Sequence, residues 1–312
     1  MEFFRIDINF DFMGQRRLAY IFSSTLIVVS LLSLITRGLS FGIDFTGGTL
    51  LEIEYPHAVD LDEVRSALAG ANFEDAMVQQ FGTARDILVR VAPRKDLGKA
   101  EVSERIFQSL RAASGSALDL RRVEFVGPQV GEDLREDGGL ALLIALGGIL
   151  VYVAVRFEYR FALGAVAALI HDVIITVGFF SVLGLEFSLV VLAAVLAVIG
   201  YSLNDTIVIF DRIRESFRKI RKGEVVAVVN AAINQTLSRT VMTGGTTLLV
   251  LVALYFLGGE LLQGFSLALI IGILIGTYSS IYIASAIALA LGISRGDLVM
   301  AKKEAAEVDG RP

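Results

Sequence analysis

The strongest constraint on this chain is a repeated one. Runs of about 18 or more apolar residues recur along it, each long enough to cross a hydrocarbon layer of ~30 Å as a helix. Inside hydrocarbon, every backbone N–H and C=O must find a partner within the structure, which leaves an isolated run of this kind helical. The first run covers residues 18–35, and five more lie at about 140–156, 161–183, 187–209, 240–258 and 264–291. Composition agrees: of 312 residues, 54% are hydrophobic and 20% charged, and mean hydropathy is +0.67, far above an ordinary soluble domain. Arg16 and Arg17 ahead of the first run would suit a signal peptide. The run is long for one, however, and Thr36-Arg37-Gly38-Leu39 has no small-x-small cleavage pattern, so an uncleaved span is expected.

Between the first and second runs the character changes. Thr49-Leu-Leu-Glu-Ile-Glu-Tyr55 alternates like a strand, and Asp60-Leu-Asp-Glu63 resembles a capping box opening a helix to about Ala69. Ala76–Phe81 and Asp86–Val91 read as two strands around a hairpin at Gly82-Thr-Ala-Arg85. Val102, Ile106, Phe107 and Leu110 line one face of a second helix from Lys99 to Ala112, and Leu120–Val126 reads as a last strand. The order βαββαβ is that of a ferredoxin-like domain. The expected fold is an α-helical polytopic membrane protein with six transmembrane helices plus a small α+β ferredoxin-like external domain. Its parts are a tail (1–17), a first membrane helix (18–37), the external domain (38–137), five further membrane helices (138–292) with a basic loop at 211–236, and a second tail (293–312).

Charge placement sets the orientation. Arg5, Arg16, Arg17, Arg156, Arg160, the Arg212–Lys222 cluster, Arg295, Lys302 and Lys303 fall in one set of segments. The opposite short loops, Gly184-Leu-Glu186 and Gly258-Gly-Glu260, hold no Lys or Arg. The positive-inside rule therefore puts both termini in the cytoplasm and 38–137 on the outer side. The net charge of −5 decides little. The chain has no cysteine, which excludes disulfides and thiolate metal sites, and its two histidines make no His-rich metal centre. The basic cluster suits a helix end at an anionic inner leaflet better than nucleic acid.

Polar groups inside the spans carry the functional reading. An acid in hydrocarbon costs several kcal/mol and marks a functional site by default. Asp205 lies six residues before Asp211, where charges begin, which is about 9 Å at the helical rise. Ser202, Asp205, Thr206 and Ile209 share one face by their spacing. Asn204 and Asp205 either carry protons or hydrogen-bond a neighbouring helix. Arg239, at the start of the fifth span, either snorkels to headgroups or faces Asp205, and Thr236, Thr240, Thr243 and Thr247 continue a polar stripe below it. His171 and Asp172, mid-way along the third span, suit a relay or a buried polar pair equally. Small residues every four positions in the sixth span, Gly264, Ala268, Gly272, Gly276, Ser280, Ala284 and Ala288, form a face for close helix packing, internal or against another subunit.

Three motifs together bring in a resemblance. Phe41-Gly-Ile-Asp-Phe-Thr-Gly-Gly48, with Asp44, Phe45, Gly47 and Gly48, follows the first span. Val126-Gly-Pro-Gln-Val-Gly131 precedes the second. Gly200-Tyr-Ser-Leu-Asn-Asp-Thr-Ile-Val-Ile-Phe-Asp-Arg-Ile-Arg-Glu215 ends the fourth. In this order the chain resembles the SecD/SecF family of RND-like protein translocase subunits over about residues 16–295, and its single small external domain suits the SecF type. The resemblance implies a twelve-span assembly with SecD, working with the SecYEG channel and SecA, with YajC as a further partner. It implies that proton movement drives the external domains to draw an unfolded polypeptide outward across the bacterial inner membrane. It maps the proton-path acid onto Asp205 and the arginine of the fifth span onto Arg239, with a further carboxylate supplied by SecD. Protons are the coupling ion, and no cofactor, metal or nucleic acid is expected. The competing expectations are half of a proton-driven small-molecule exporter, which needs a large apolar external pocket, and a membrane enzyme, for which no metal cluster or Ser–His neighbourhood is present.

Overall fold

The computed structural model describes residues 9–94, 97–115, 117–220 and 223–293. Arg5, Arg221, Lys222, Arg295, Lys302 and Lys303 of the basic set lie outside them, as do 1–8 and 294–312 of the two tails. In chain order the elements are α1 (Arg16–Thr36), β1 (Ser40–Phe41), α2 (Ile43–Thr46), β2 (Gly48–Glu54), α3 (Leu61–Gly70), β3 (Met77–Phe81), β4 (Thr83–Val91), α4 (Lys99–Ser114) and β5 (Asp119–Val126). They continue with α5 (Pro128–Arg156), α6 (Tyr159–Leu183), β6 (Glu186–Phe187), α7 (Leu189–Lys219), α8 (Val225–Leu257) and α9 (Glu260–Ser279). A π-helical turn, Ser280–Ala284, then leads into α10 (Ser285–Ala290). Six of these helical stretches are long and apolar enough to cross a membrane. The chain divides into two compact units, one of residues 40–141 and 186–189, the other of 1–39, 142–185 and 190–312.

The smaller unit is an antiparallel sheet of order β3-β4-β2-β5 with the connectivity of a ferredoxin-like motif. Alternation decides which side of the sheet each residue covers. Leu51 and Ile53 of β2 and Ile87 and Val89 of β4 face α3 and α4, closing a core with Leu68, Ile106 and Leu110. Leu50 and Leu88 face the other way and pack against Ile43 of α2. Asp60 caps α3, accepting from the Asp62 amide at 2.9 Å. The hairpin is tighter than the expected Gly82–Arg85, because β4 already begins at Thr83, paired with Phe81. Gly47 and Gly48 carry the chain from α2 into β2 at φ +66° and +124°. A Cβ on Gly47 would fall 2.7 Å from Pro128 Cα, and one on Gly48 would strike the Val91 carbonyl. Only glycine fits both the angles and the space.

β1 and β6 add a parallel pair, Ser40 opposite Glu186 and Phe41 opposite Phe187. Phe45 stacks on Phe187 with centroids 6.1 Å apart.

In the larger unit, α6, α7 and the sixth span are half buried within the chain, whereas α5 is only 6% buried over its apolar window. Phe157, Phe161 and Phe210 form an aromatic cluster at the centre of one core. The basic segment is mostly helical among the described residues: α7 runs to Lys219 and α8 starts at Val225. Salt bridges at helical spacing, Glu215 with both Arg212 and Lys219, carry α7 through its charged end. Residues 9–15 pack against α8. Met13 is fully buried, and its amide donates to Asn230 Oδ1 of α8 at 2.9 Å, while Asn230 donates to Asp11 at 2.6 Å.

Candidate functional site

The polar residues of α7 fall on the face their spacing implies. Ser202, Asp205, Thr206 and Ile209 are buried, and Asn204 points away and is exposed. This face meets the sixth span where its side chains are smallest. A Cβ on Gly276 would lie 2.9 Å from Ser202 Cβ, and one on Gly272 would collide with Val198, so both glycines set the approach of the two helices.

Within that contact lies a seam of hydroxyls. Thr206 Oγ1 and Ser280 Oγ are 2.7 Å apart, and Ser280 donates to the Ser202 carbonyl at 3.3 Å. Thr277 Oγ1 donates to Asp205 Oδ2 over 3.4 Å, a long and therefore weak bond. Asp205 is only 3% exposed, so this carboxyl has far fewer partners than water would offer it.

A second carboxyl on α6 contrasts with it. Asp172 is fully buried, and its Oδ2 accepts from Ser202 Oγ at 2.6 Å and from Ser279 Oγ at 2.8 Å. Its Oδ1 lies 2.8 Å from His171 Nδ1. Three side chains from three helical segments thus converge on Asp172, while Asp205 holds one long bond among the described residues. Ser202 links the two, bonding Asp172 from a position one turn before Asp205. Chemically, Asp172 is a satisfied anchor and Asp205 is the carboxyl with spare acceptor capacity.

Arg239 is exposed on α8 and makes no ion pair with Asp205 among the described residues. It lines an opening of about 340 Å³ with Asp211, Arg212, Glu215, Gln235 and Thr236. Thr243 bonds back to its own helix at the Arg239 carbonyl, 3.0 Å away, rather than reaching α7. Thr277 and Ser279 were not singled out from sequence. Their signal is the hydroxyl-rich Gly276-Thr-Tyr-Ser-Ser280 inside an otherwise apolar span. No group of three or more His, Asp or Glu suited to a metal occurs among the described residues.

Comparison with known proteins decides the family. The model described as "Protein export membrane protein SecD/SecF, C-terminal" matches residues 106–294, and the "SecD/SecF GG Motif" matches 32–55. The chain belongs to the SecD/SecF family. Among SecF relatives, the protein translocase subunit SecF of Vibrio alginolyticus is 49% identical over all of this chain and 99% of its own length. That of Pseudomonas aeruginosa is 51% identical over 97% of each. The crystal structure of SecDF, a translocon-associated membrane protein from Thermus thermophilus, aligns with a TM-score of 0.84 at 41% identity over 92% of this chain. SecDF in a super-membrane-facing form aligns over 99% at a TM-score of 0.69 and 38% identity. This chain spans only 39% and 41% of those two SecDF chains. In SecD/SecF terms, the GG motif is the α2–β2 turn described above, and the C-terminal model takes in both buried carboxylates.

Proposed function

We propose that this translocase subunit works with SecD as half of a proton-coupled machine that promotes protein export across the bacterial inner membrane. The observation that carries the reading is Asp205, a carboxyl buried on a membrane helix with one long hydrogen bond. A carboxyl so placed binds and releases a proton when a partner approaches or withdraws. One charge crossing 100 mV is worth about 2.3 kcal/mol, enough to bias two conformations a few kcal/mol apart. Arg239 and Asn204, exposed on the flanking surfaces, are where a second subunit would complete the path. The likeness to SecDF chains more than twice as long supports a SecD-type half. SecYEG, SecA, YajC and an unfolded polypeptide are the further partners of this reading. It has both termini in the cytoplasm and the ferredoxin-like unit outside.

The exporter alternative calls for a ligand pocket in the external unit. The cavity beside Tyr55, Val64 and Leu110 has a volume of about 210 Å³, below the ~300 Å³ at which ligand sites usually begin. The test is Asp205→Asn in cells that depend on this copy. The variant should accumulate and co-purify with the SecD-like partner, yet lose the increment of export that a proton gradient supplies. Export at the wild-type level would remove Asp205 from the mechanism, and recovery without any SecD-like partner would remove the assembly.

A further inference from the structure

The fourth membrane helix starts inside the smaller unit. Residues 186–189 belong to that unit, and Leu189 is the first residue of α7. Four contacts hold this start. β6 pairs with β1. The Gly42 amide donates to the Phe187 carbonyl at 3.0 Å. Asp44 Oδ2 accepts from the Leu189 amide at 2.8 Å and thereby caps α7. Glu186 pairs with Arg90 of β4 at 2.5 Å, and Arg90 also donates to the Phe41 carbonyl at 3.2 Å. Arg90 is buried. Burial raises the Glu186 carboxyl above its usual range despite that arginine. A buried pair of this kind contributes geometry more than stability.

α7 is unbroken from Leu189 to Lys219. Leu189 and Asp205 are sixteen residues apart on this one helix, about 24 Å at the helical rise. We propose that Asp44, Arg90 and Glu186 are positioning residues for α7, the helix that carries Asp205: they fasten its first turn to the sheet, and export depends on that fastening. The proposal rests on the proton-coupled reading and adds the contacts that hold the start of the helix carrying Asp205. It also gives Asp44 a role distinct from that of the two glycines that follow it, which shape the turn.

Two measurements test it. The first is hydrogen exchange at the Leu189 amide in the purified full-length chain, which needs no export. Asp44→Ala should speed exchange at least tenfold, and Asp44→Asn, which still offers an oxygen, should leave it near wild type. The second is proton-gradient-dependent export in cells relying on this chain. Asp44→Ala should lower it several-fold and Asp44→Asn should not. The natural chain has no cysteine, so the pair Ser40→Cys and Glu186→Cys can replace the ion pair by a covalent link. Export should fall several-fold in the reduced form and return on oxidation. Equal behaviour of Asp44→Ala and wild type, or of the oxidised and reduced pairs, overturns the proposal. If the wild-type chain itself gives no gradient-dependent export, the functional reading fails, while the exchange data still decide the fastening.

Discussion

Replacing Asp172 by alanine tests how the membrane helices are held together. Asp172 takes hydrogen bonds from Ser202 and Ser279 and contacts His171 Nδ1. Ser279 has a second acceptor, the Gly276 carbonyl at 3.1 Å, and loses little. Ser202 Oγ has no second acceptor among the described residues. His171 Nε2 has no partner among the described residues, so the substitution would strand both ring nitrogens. Two buried groups left unsatisfied cost about 1–3 kcal/mol each. Bonds between membrane helices fall at the low end of such ranges, which gives a loss of about 2–3 kcal/mol. Asp172→Asn keeps an oxygen for both serines and should cost less than about 1 kcal/mol. The assay is reversible unfolding of the purified chain in mixed micelles against a denaturing detergent. A loss below about 0.5 kcal/mol for alanine would refute the network as a source of stability. Equal losses for asparagine and alanine would show that the fold uses the charge and not the hydrogen bonds.

Other outcomes follow from single contacts. Gly276→Val should push α9 from α7 at Ser202 and abolish folding or export, whereas the same change at Gly245, which faces open space, should be tolerated in an expression and thermal-stability screen. Asp60→Ala should cost about 1 kcal/mol in unfolding by loss of the α3 cap, with Asp60→Asn near neutral. For Glu186 the folded-state value is raised, so its contribution to stability is full below the unfolded value and declines as pH rises through the folded one. The unfolding free energy of wild type minus Glu186→Gln should therefore fall as pH rises through the titration of this carboxyl, and a difference that grows with pH would contradict the burial argument.

The parts legible in the sequence are those with a period. Alternation placed Leu51 and Ile53 on one face of β2, and spacing placed Ser202, Asp205 and Thr206 on one face of α7. What escaped had no period to read. β1 and β6 are two residues each and far apart in the chain, so their pairing left no local pattern. Met13 is an isolated apolar residue whose burial depends on Asn230, more than two hundred positions away. Arg212, Glu215 and Lys219 did carry the i, i+3 and i+4 signal of a continuing helix, but their charge density read as a loop. Ser279 and Thr277 are ordinary residues for a membrane helix, and only Asp172 and Asp205 opposite them give them meaning.

The π turn at Ser280–Ala284 bears on how this helix tolerates insertion and deletion. Residues spaced by four advance about 40° per step around an α-helix, so the small-residue stripe of the sixth span winds instead of running straight. Its first part, at Gly272 and Gly276, meets α7, and its last part, at Ala284 and Ala288, meets Gly164 of α6. The wide turn amounts to one residue inserted between these two parts. Removing Ser280 would keep every apolar side chain and shorten the helix by only about 1.5 Å. It would nevertheless turn the final segment by about 100°, taking Ala284 and Ala288 off the Gly164 backbone. Natural relatives of this chain should therefore vary in side chain at this turn far more readily than in residue count.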